Sequence, residues 1–180
     1  MRILLTGGSG SGKSTYAEQL AHALPAPRCY IAAMRPYDDE SLVKIRRHRT
    51  QREGADFLTI ERETDVGAID FPARGTALLE CMCNLLANEM FDEAGGERDV
   101  YDQILADIAA LEKRCDTLIV VTNEVGGDGG AYSESTARYI ETLGRLNRAL
   151  AARFDVVAEL VCGIPVVFKG LLPNMKAESI

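Results

Sequence analysis

MRILLTGGSGSGKST, residues 1–15, joins an apolar run to a glycine-rich loop and a helix pattern. The apolar run from Ile3 to Leu5 has the unbroken hydrophobicity of a strand buried on both faces. It ends in Gly7-Gly8-Ser9-Gly10-Ser11-Gly12-Lys13-Ser14, which fits G-x-x-x-x-G-K-[ST] in full. Glycines at such a turn let successive backbone N–H groups curl toward phosphate oxygens, an approach that a Cβ would obstruct. A helix pattern follows, with Tyr16, Leu20 and Leu24 on one side, and its unsatisfied N-terminal donors strengthen the anion site. Lys13 supplies a mobile positive charge for the outer phosphates, and Ser14 a hydroxyl for Mg²⁺. Strand, loop and helix together read as a nucleotide-binding P-loop.

Working outward, the length of 180 residues suits a single domain, 1–180, with a substantial core. A formal net charge of −7 argues against a nucleic-acid surface, which would carry a basic stripe. The one basic patch is short: Lys44-Ile45-Arg46-Arg47-His48-Arg49. No apolar run reaches the length of a membrane span and no leader pattern precedes the P-loop, so the expectation is a cytoplasmic protein. The five cysteines, Cys29, Cys81, Cys83, Cys115 and Cys162, lack any CxxC spacing, and Cys81-x-Cys83 has no second pair to complete a zinc site. They read as buried free thiols in a reducing compartment.

Along the chain, apolar runs alternate with amphipathic ones. Strands are expected at 2–6, 28–33, 57–61, 76–80, 117–121, 155–161 and 165–168. Helices are expected at 13–24, 38–50, from after Glu80 until Gly95-Gly96, 99–114 and 133–153. This alternation implies an α/β fold with a mostly parallel sheet covered on both faces, whose ligands sit at the carboxyl ends of the strands. That rule puts the P-loop, Ala33, Glu61, Glu80 and Asn123-Glu124 on one rim.

Glu80 closes an apolar strand, where a carboxylate holds Mg²⁺ directly or through water in P-loop enzymes; Glu124, after the strongest strand, is the second choice. No N-K-x-D guanine-reading motif and no arginine-dense lid occur. The glycine-rich segment 126–130 reads as a flap or a plain loop. His48 stands among Arg46, Arg47, Arg49 and Arg52. Cations around an imidazole favour its neutral, nucleophilic form and also attract a polyphosphate. His22, on the P-loop helix, has no such surroundings and reads as structural.

Beyond the P-loop, a set of stretches runs through nearly the whole chain: TGGSGSGKS (6–14), YIAAM (30–34), DDE followed by KIRRHR (38–49), TIE (59–61), LLECMCNLLANEMF (78–91), VTNEVG (121–126), GRLNRALA (144–151) and the closing CGIP and FKG. In these the chain resembles the bifunctional adenosylcobinamide kinase/adenosylcobinamide-phosphate guanylyltransferase family of cobalamin biosynthesis. The resemblance implies two reactions on one corrinoid. A γ-phosphoryl group passes from ATP or GTP to the aminopropanol hydroxyl of adenosylcobinamide; then GTP guanylylates a histidine, and the GMP passes on to give adenosylcobinamide-GDP. The family's guanylylated histidine falls on His48. By similarity, Gly7, Gly8, Ser9, Gly10, Ser11, Gly12, Lys13, Ser14 and Thr15 hold phosphates. Ile31, Ala32, Ala33, Gln51, Arg52, Glu53, Gly54 and Glu61 line the nucleotide, and Glu80 lies by the Mg²⁺ with Ser14. The implied fold is a RecA-like P-loop domain and the implied assembly a homotrimer.

Two departures stand out. The position before His48, often a second histidine in the family, is Arg47. After NEVG, where relatives continue with a G-x-V-P-E type sequence, this chain has Gly127-Asp128-Gly129-Gly130-Ala131-Tyr132. The alternative reading is a P-loop kinase of another small metabolite with no guanylyltransferase step. A regulatory nucleotide-binding ATPase without small-molecule chemistry is a further rival. Both leave the matches outside the P-loop unexplained.

Overall fold

The structure is a computed structural model that describes residues 1–35, 57–91, 96–126 and 130–175. Its centre is a seven-stranded sheet: β1 (Arg2–Thr6), β2 (Arg28–Ala32), β3 (Phe57–Glu61), β4 (Thr76–Glu80), β5 (Thr117–Val121), β6 (Val156–Val161) and β7 (Ile164–Lys169). They lie in the order β3-β2-β4-β5-β1-β6-β7. The first six strands pair in parallel, and β7 turns back antiparallel to β6 as an edge. The strongest apolar run sits where burial is greatest: β5, TLIVV, is buried at every position, between β4 and β1. No position of β3 is fully buried, which matches its place at the opposite edge.

Among the described residues four helices cover the sheet: α1 (Lys13–His22), α2 (Met82–Met90), α3 (Tyr101–Arg114) and α4 (Glu134–Arg153). A parallel crossover is right-handed, so the direction of travel along the sheet fixes the face. The β1-to-β2 step runs one way and puts α1 on one face. The β4-to-β5 and β5-to-β6 steps run the other way, putting α2, α3 and α4 together on the opposite face. The packing agrees: α1 lies against β1, β4 and β5, while α4 packs on α2 and α3. Leu20 of α1, Leu85 of α2, Ile104 of α3 and Leu146 of α4 are fully buried. Each such side chain contributes about 1.5–3 kcal/mol by leaving water.

Within the described residues the expected elements are present with small shifts at their ends; α1 stops at His22, α2 spans Met82–Met90 and β7 spans Ile164–Lys169. A short 3₁₀ turn, Val66–Ala68, adds to them and packs on α3. The helix expected over 38–50 lies outside the described residues. Because β5 intervenes between β1 and β4, the P-loop strand and the acid-bearing strand are not neighbours, which is the RecA-like arrangement. Four cysteines are buried free thiols as expected; Cys162 is the exception, exposed in the β6–β7 turn. Turn residues face water, so its apolar neighbours in sequence were a poor guide to its burial.

Candidate active site at the carboxyl rim of the sheet

Register brings the predicted rim together. Ala32 stands opposite both Glu61 and Glu80, and Leu5 opposite Val121, so the segments after β1, β2, β3, β4 and β5 leave the sheet on the same edge.

The P-loop connects β1 to α1 there. Gly7, at φ +142°, is a position where only glycine fits: a Cβ would lie 2.6 Å from the carbonyl oxygen of Leu160 on β6. Gly12 caps α1 in the left-handed region, φ +91°, and no side chain accepts from the helix's first N–H groups. The contrast is α4, where the Ser133 hydroxyl accepts from the Thr136 N–H at 3.2 Å. Among the described residues the start of α1, like those of α2 and α3, has no side-chain cap, which leaves its donors open to an anion.

Two donors converge inside the loop on one oxygen. The Lys13 ammonium donates to the Gly8 carbonyl at 2.7 Å, and the Ser11 N–H donates to the same oxygen at 3.2 Å. Donors of this kind, held at one point, can also serve a phosphate oxygen. Lys13 is only 7% exposed. Burial lowers its pKa, and the charge of Glu80 partly offsets this.

Glu80 meets the loop from β4. The Ser14 hydroxyl donates to Glu80 Oε1 at 2.8 Å. Glu80 Oε2 is buried with no hydrogen-bond partner among the described residues. Burial pushes this carboxyl up to about 7, against the hydrogen bond from Ser14, with Glu18 raising it further and Lys13 lowering it. A hydroxyl and a carboxylate with an oxygen to spare form the hard donor set that Mg²⁺ prefers, and Mg²⁺ needs only one or two protein oxygens beside the phosphates. No group of three or more metal-ligating side chains occurs among the described residues. Of the two acids considered for this role, Glu80 touches Ser14, while Glu124 is exposed on the segment beyond β5.

The second layer was not legible in the sequence. Asn88 of α2, 3% exposed, donates through Nδ2 to the Ala33 carbonyl at 2.8 Å and the Glu63 carbonyl at 3.1 Å. The Ala33 N–H in turn donates to the Glu80 carbonyl at 3.0 Å, which ties the end of β2 to the acid-bearing turn. Thr122, fully buried, donates to Asn147 Oδ1 at 2.8 Å, and Asn147 Nδ2 donates to the Asn123 carbonyl at 3.2 Å. The Tyr139 hydroxyl donates to the Cys83 carbonyl at 3.1 Å. Helix α4 therefore holds both the turn after Glu80 and the segment after β5. A lone amide inside an apolar helical stripe, as Asn88 is among Leu85, Leu86 and Met90, is the signal that could have found this layer.

The remaining expectations fall as follows. Ile31 and Ala33 are fully buried, backbone included, and Ala32 between them is partly buried. Glu61 ends β3 on the rim and is exposed. His22 is exposed at the far end of α1, its ring edge-on to Phe57 at 4.8 Å between centroids. His48, Gln51, Arg52, Glu53 and Gly54 lie outside the described residues, as does most of the glycine-rich run, 127–129.

Comparison with known proteins bears on the whole chain. The family model described as cobinamide kinase / cobinamide phosphate guanyltransferase matches residues 3–168. The bifunctional adenosylcobalamin biosynthesis protein CobU of Salmonella typhimurium is 34% identical, the match covering 94% of this chain and 100% of that protein. CobU of Escherichia coli is 33% identical, with 94% and 100% covered. The corresponding protein CobP of Pseudomonas aeruginosa is 31% identical, with 94% and 98% covered. Among solved structures, the chain is similar to the P4 protein of bacteriophage phi6 in complex with ADP, at 18% identity and a TM-score of 0.45. That match covers 91% of this chain, which spans about half, 52%, of the P4 chain.

Proposed function

Because the chain belongs to the cobinamide kinase / cobinamide phosphate guanyltransferase family, we propose that it carries out both reactions of that family on a corrinoid substrate. The observation that carries this reading is the pairing of a family match over residues 3–168 with a phosphate cradle whose donors already converge on one oxygen.

In the kinase step the hydroxyl oxygen of adenosylcobinamide attacks the γ-phosphorus of ATP or GTP. The bond from that phosphorus to the bridging oxygen breaks, the nucleoside diphosphate leaves, and the hydroxyl proton passes to solvent. The P-loop N–H groups from Gly7 to Thr15 and the Lys13 ammonium hold the phosphates and offset the charge that builds on the leaving oxygen. Ser14 and Glu80 are the residues that would hold Mg²⁺, which supplies further neutralisation of phosphate charge. Ala32, Ala33 and Glu61 edge the site on the rim.

In the transferase step a neutral ring nitrogen of His48 attacks the α-phosphorus of GTP and pyrophosphate departs. A phosphate oxygen of adenosylcobinamide phosphate then attacks the same phosphorus. The P–N bond breaks, His48 is restored and adenosylcobinamide-GDP forms. The cationic stretch Arg46 to Arg52 supports this assignment, since guanidinium groups favour the unprotonated ring and attract triphosphate. Gln51, Arg52, Glu53 and Gly54 follow in the same basic stretch and are assigned to the nucleotide.

We further propose a homotrimer of single-domain chains working in the cytoplasm. Self-association is supported by β7, an edge strand on which Ile164 and Phe168 are 67% and 65% exposed, with Leu171 beyond it 86% exposed. Such an apolar edge invites pairing with another chain. No helix among the described residues is long and apolar enough to cross a membrane.

The test is product analysis. The purified protein, given adenosylcobinamide, ATP, GTP and Mg²⁺, should yield the phosphorylated corrinoid and then its GDP derivative, resolved by chromatography and mass. Accumulation of the phosphorylated corrinoid alone would replace this reading with a single-activity kinase.

A further inference from the structure

The closing CGIP stretch has no role in the chemistry above, yet it lies against the phosphate loop. Three contacts place it there. The Gly163 N–H donates to the Ser11 carbonyl at 2.8 Å. A Cβ on Gly12 would lie 3.3 Å from the Gly163 Cα, so the two backbones are in close approach. At the other end of the loop, Gly7 comes so near the Leu160 carbonyl that a Cβ would sit 2.6 Å from it. The β6–β7 hairpin therefore backs the P-loop at its start and again just before α1.

The hairpin tip is a two-residue turn of the kind that short hairpins favour. Cys162 and Gly163 both have positive φ, +51° and +81°. That turn presents the Gly163 N–H to Ser11 and lets Gly12 come close. A hydrogen bond to the Ser11 carbonyl holds this negative end of the peptide dipole toward the hairpin. It cannot then turn into the cradle, where it would repel a phosphate. The effect falls on the loop and not on the core, because a Cβ on Gly163 would meet nothing within 4 Å.

We propose that Gly163 is a positioning residue for the nucleotide's phosphates, acting through Ser11 and depending on its left-handed backbone. The proposal rests on the P-loop reading above and adds to it a brace from the opposite end of the chain. The substitutions Gly163→Asn and Gly163→Val separate conformation from bulk. Asn tolerates positive φ and keeps the N–H; a β-branched residue does not adopt this conformation and must move the tip.

The test titrates the full-length protein and both variants with a fluorescent GTP analogue in Mg²⁺, then displaces it with inorganic tripolyphosphate, a probe that has no base or sugar. The expected result is Gly163→Asn within about twofold of the unaltered protein and Gly163→Val about tenfold weaker, the scale of one lost hydrogen bond. Tripolyphosphate should lose affinity by the same factor, which a change in base recognition would not produce. Melting curves are recorded for each protein; should Gly163→Val not fold, Gly163→Ala takes its place, with the order unaltered, Asn, Ala expected. Equal affinity of Gly163→Val (or of Gly163→Ala in its place) and the unaltered protein would overturn the brace and leave the nucleotide site intact. Asn as weak as Val would overturn the dependence on backbone conformation. Failure of the unaltered protein to bind would refute the nucleotide reading itself, and the brace with it.

Discussion

Glu80→Gln is the substitution whose consequence follows most directly from the site. Burial pushes the Glu80 carboxyl from its ordinary 4.5 to about 7 in the metal-free protein. Between those two values the folded protein keeps a proton that the unfolded chain has released. This contribution to stability is therefore fully present below the lower value, falls as pH rises, and is gone above the upper one. The gap is roughly 2.5 pH units, and at about 1.4 kcal/mol per unit its ceiling is on the order of 3 kcal/mol. Glutamine stays neutral throughout and still accepts from the Ser14 hydroxyl. Urea unfolding in chelator, run on both proteins from about pH 4 to about pH 8, reads the effect as a difference of midpoints. The variant should gain on the unaltered protein by up to that amount as pH rises. A difference that stays constant with pH would refute the assignment of a raised Glu80 pKa. Adding Mg²⁺ and GTP at neutral pH should then reverse the order, because a bound cation favours the carboxylate over the amide.

Two further outcomes are expected. Lys13→Ala should weaken GTP binding by about a hundredfold, since the ammonium that now meets the Gly8 carbonyl is the main mobile charge of the cradle; unchanged affinity in a fluorescence titration would contradict its role. Thr122→Val leaves Asn147 Oδ1 without its buried donor and should cost about 1–2 kcal/mol in urea unfolding, whereas unchanged stability would show that this link between β5 and α4 carries no weight.

How much was legible in the sequence depended on whether the signal was local. The P-loop is contiguous, and its requirements on backbone conformation are written into Gly7 and Gly12 one residue at a time. The strands show as apolar runs because a parallel sheet buries both faces, so β5 was unmistakable and the sheet's rim followed from chain direction alone. Glu80 was found for the same reason: an acid ending such a run stands at the rim. What stayed hidden is non-local. Nothing in residues 144–151 says that Asn147 reaches Thr122, and nothing in CGIP says that Gly163 reaches Ser11, because those contacts exist only after the strand order is set. Cys162 misled for a related reason: an apolar neighbourhood in sequence became an exposed turn once β7 reversed direction.

The central claim is that one chain combines a P-loop kinase with a transferase that works through a GMP–histidine at His48. The most direct measurement incubates the protein with Mg²⁺ and GTP labelled at its α-phosphate, denatures it, and follows label that is lost in acid and kept in alkali. The same incubation is run on His48→Ala. A covalent GMP adduct is expected on the unaltered protein and none on the variant. No adduct on either protein would contradict the transferase assignment, and an adduct that persists in His48→Ala would contradict the choice of nucleophile.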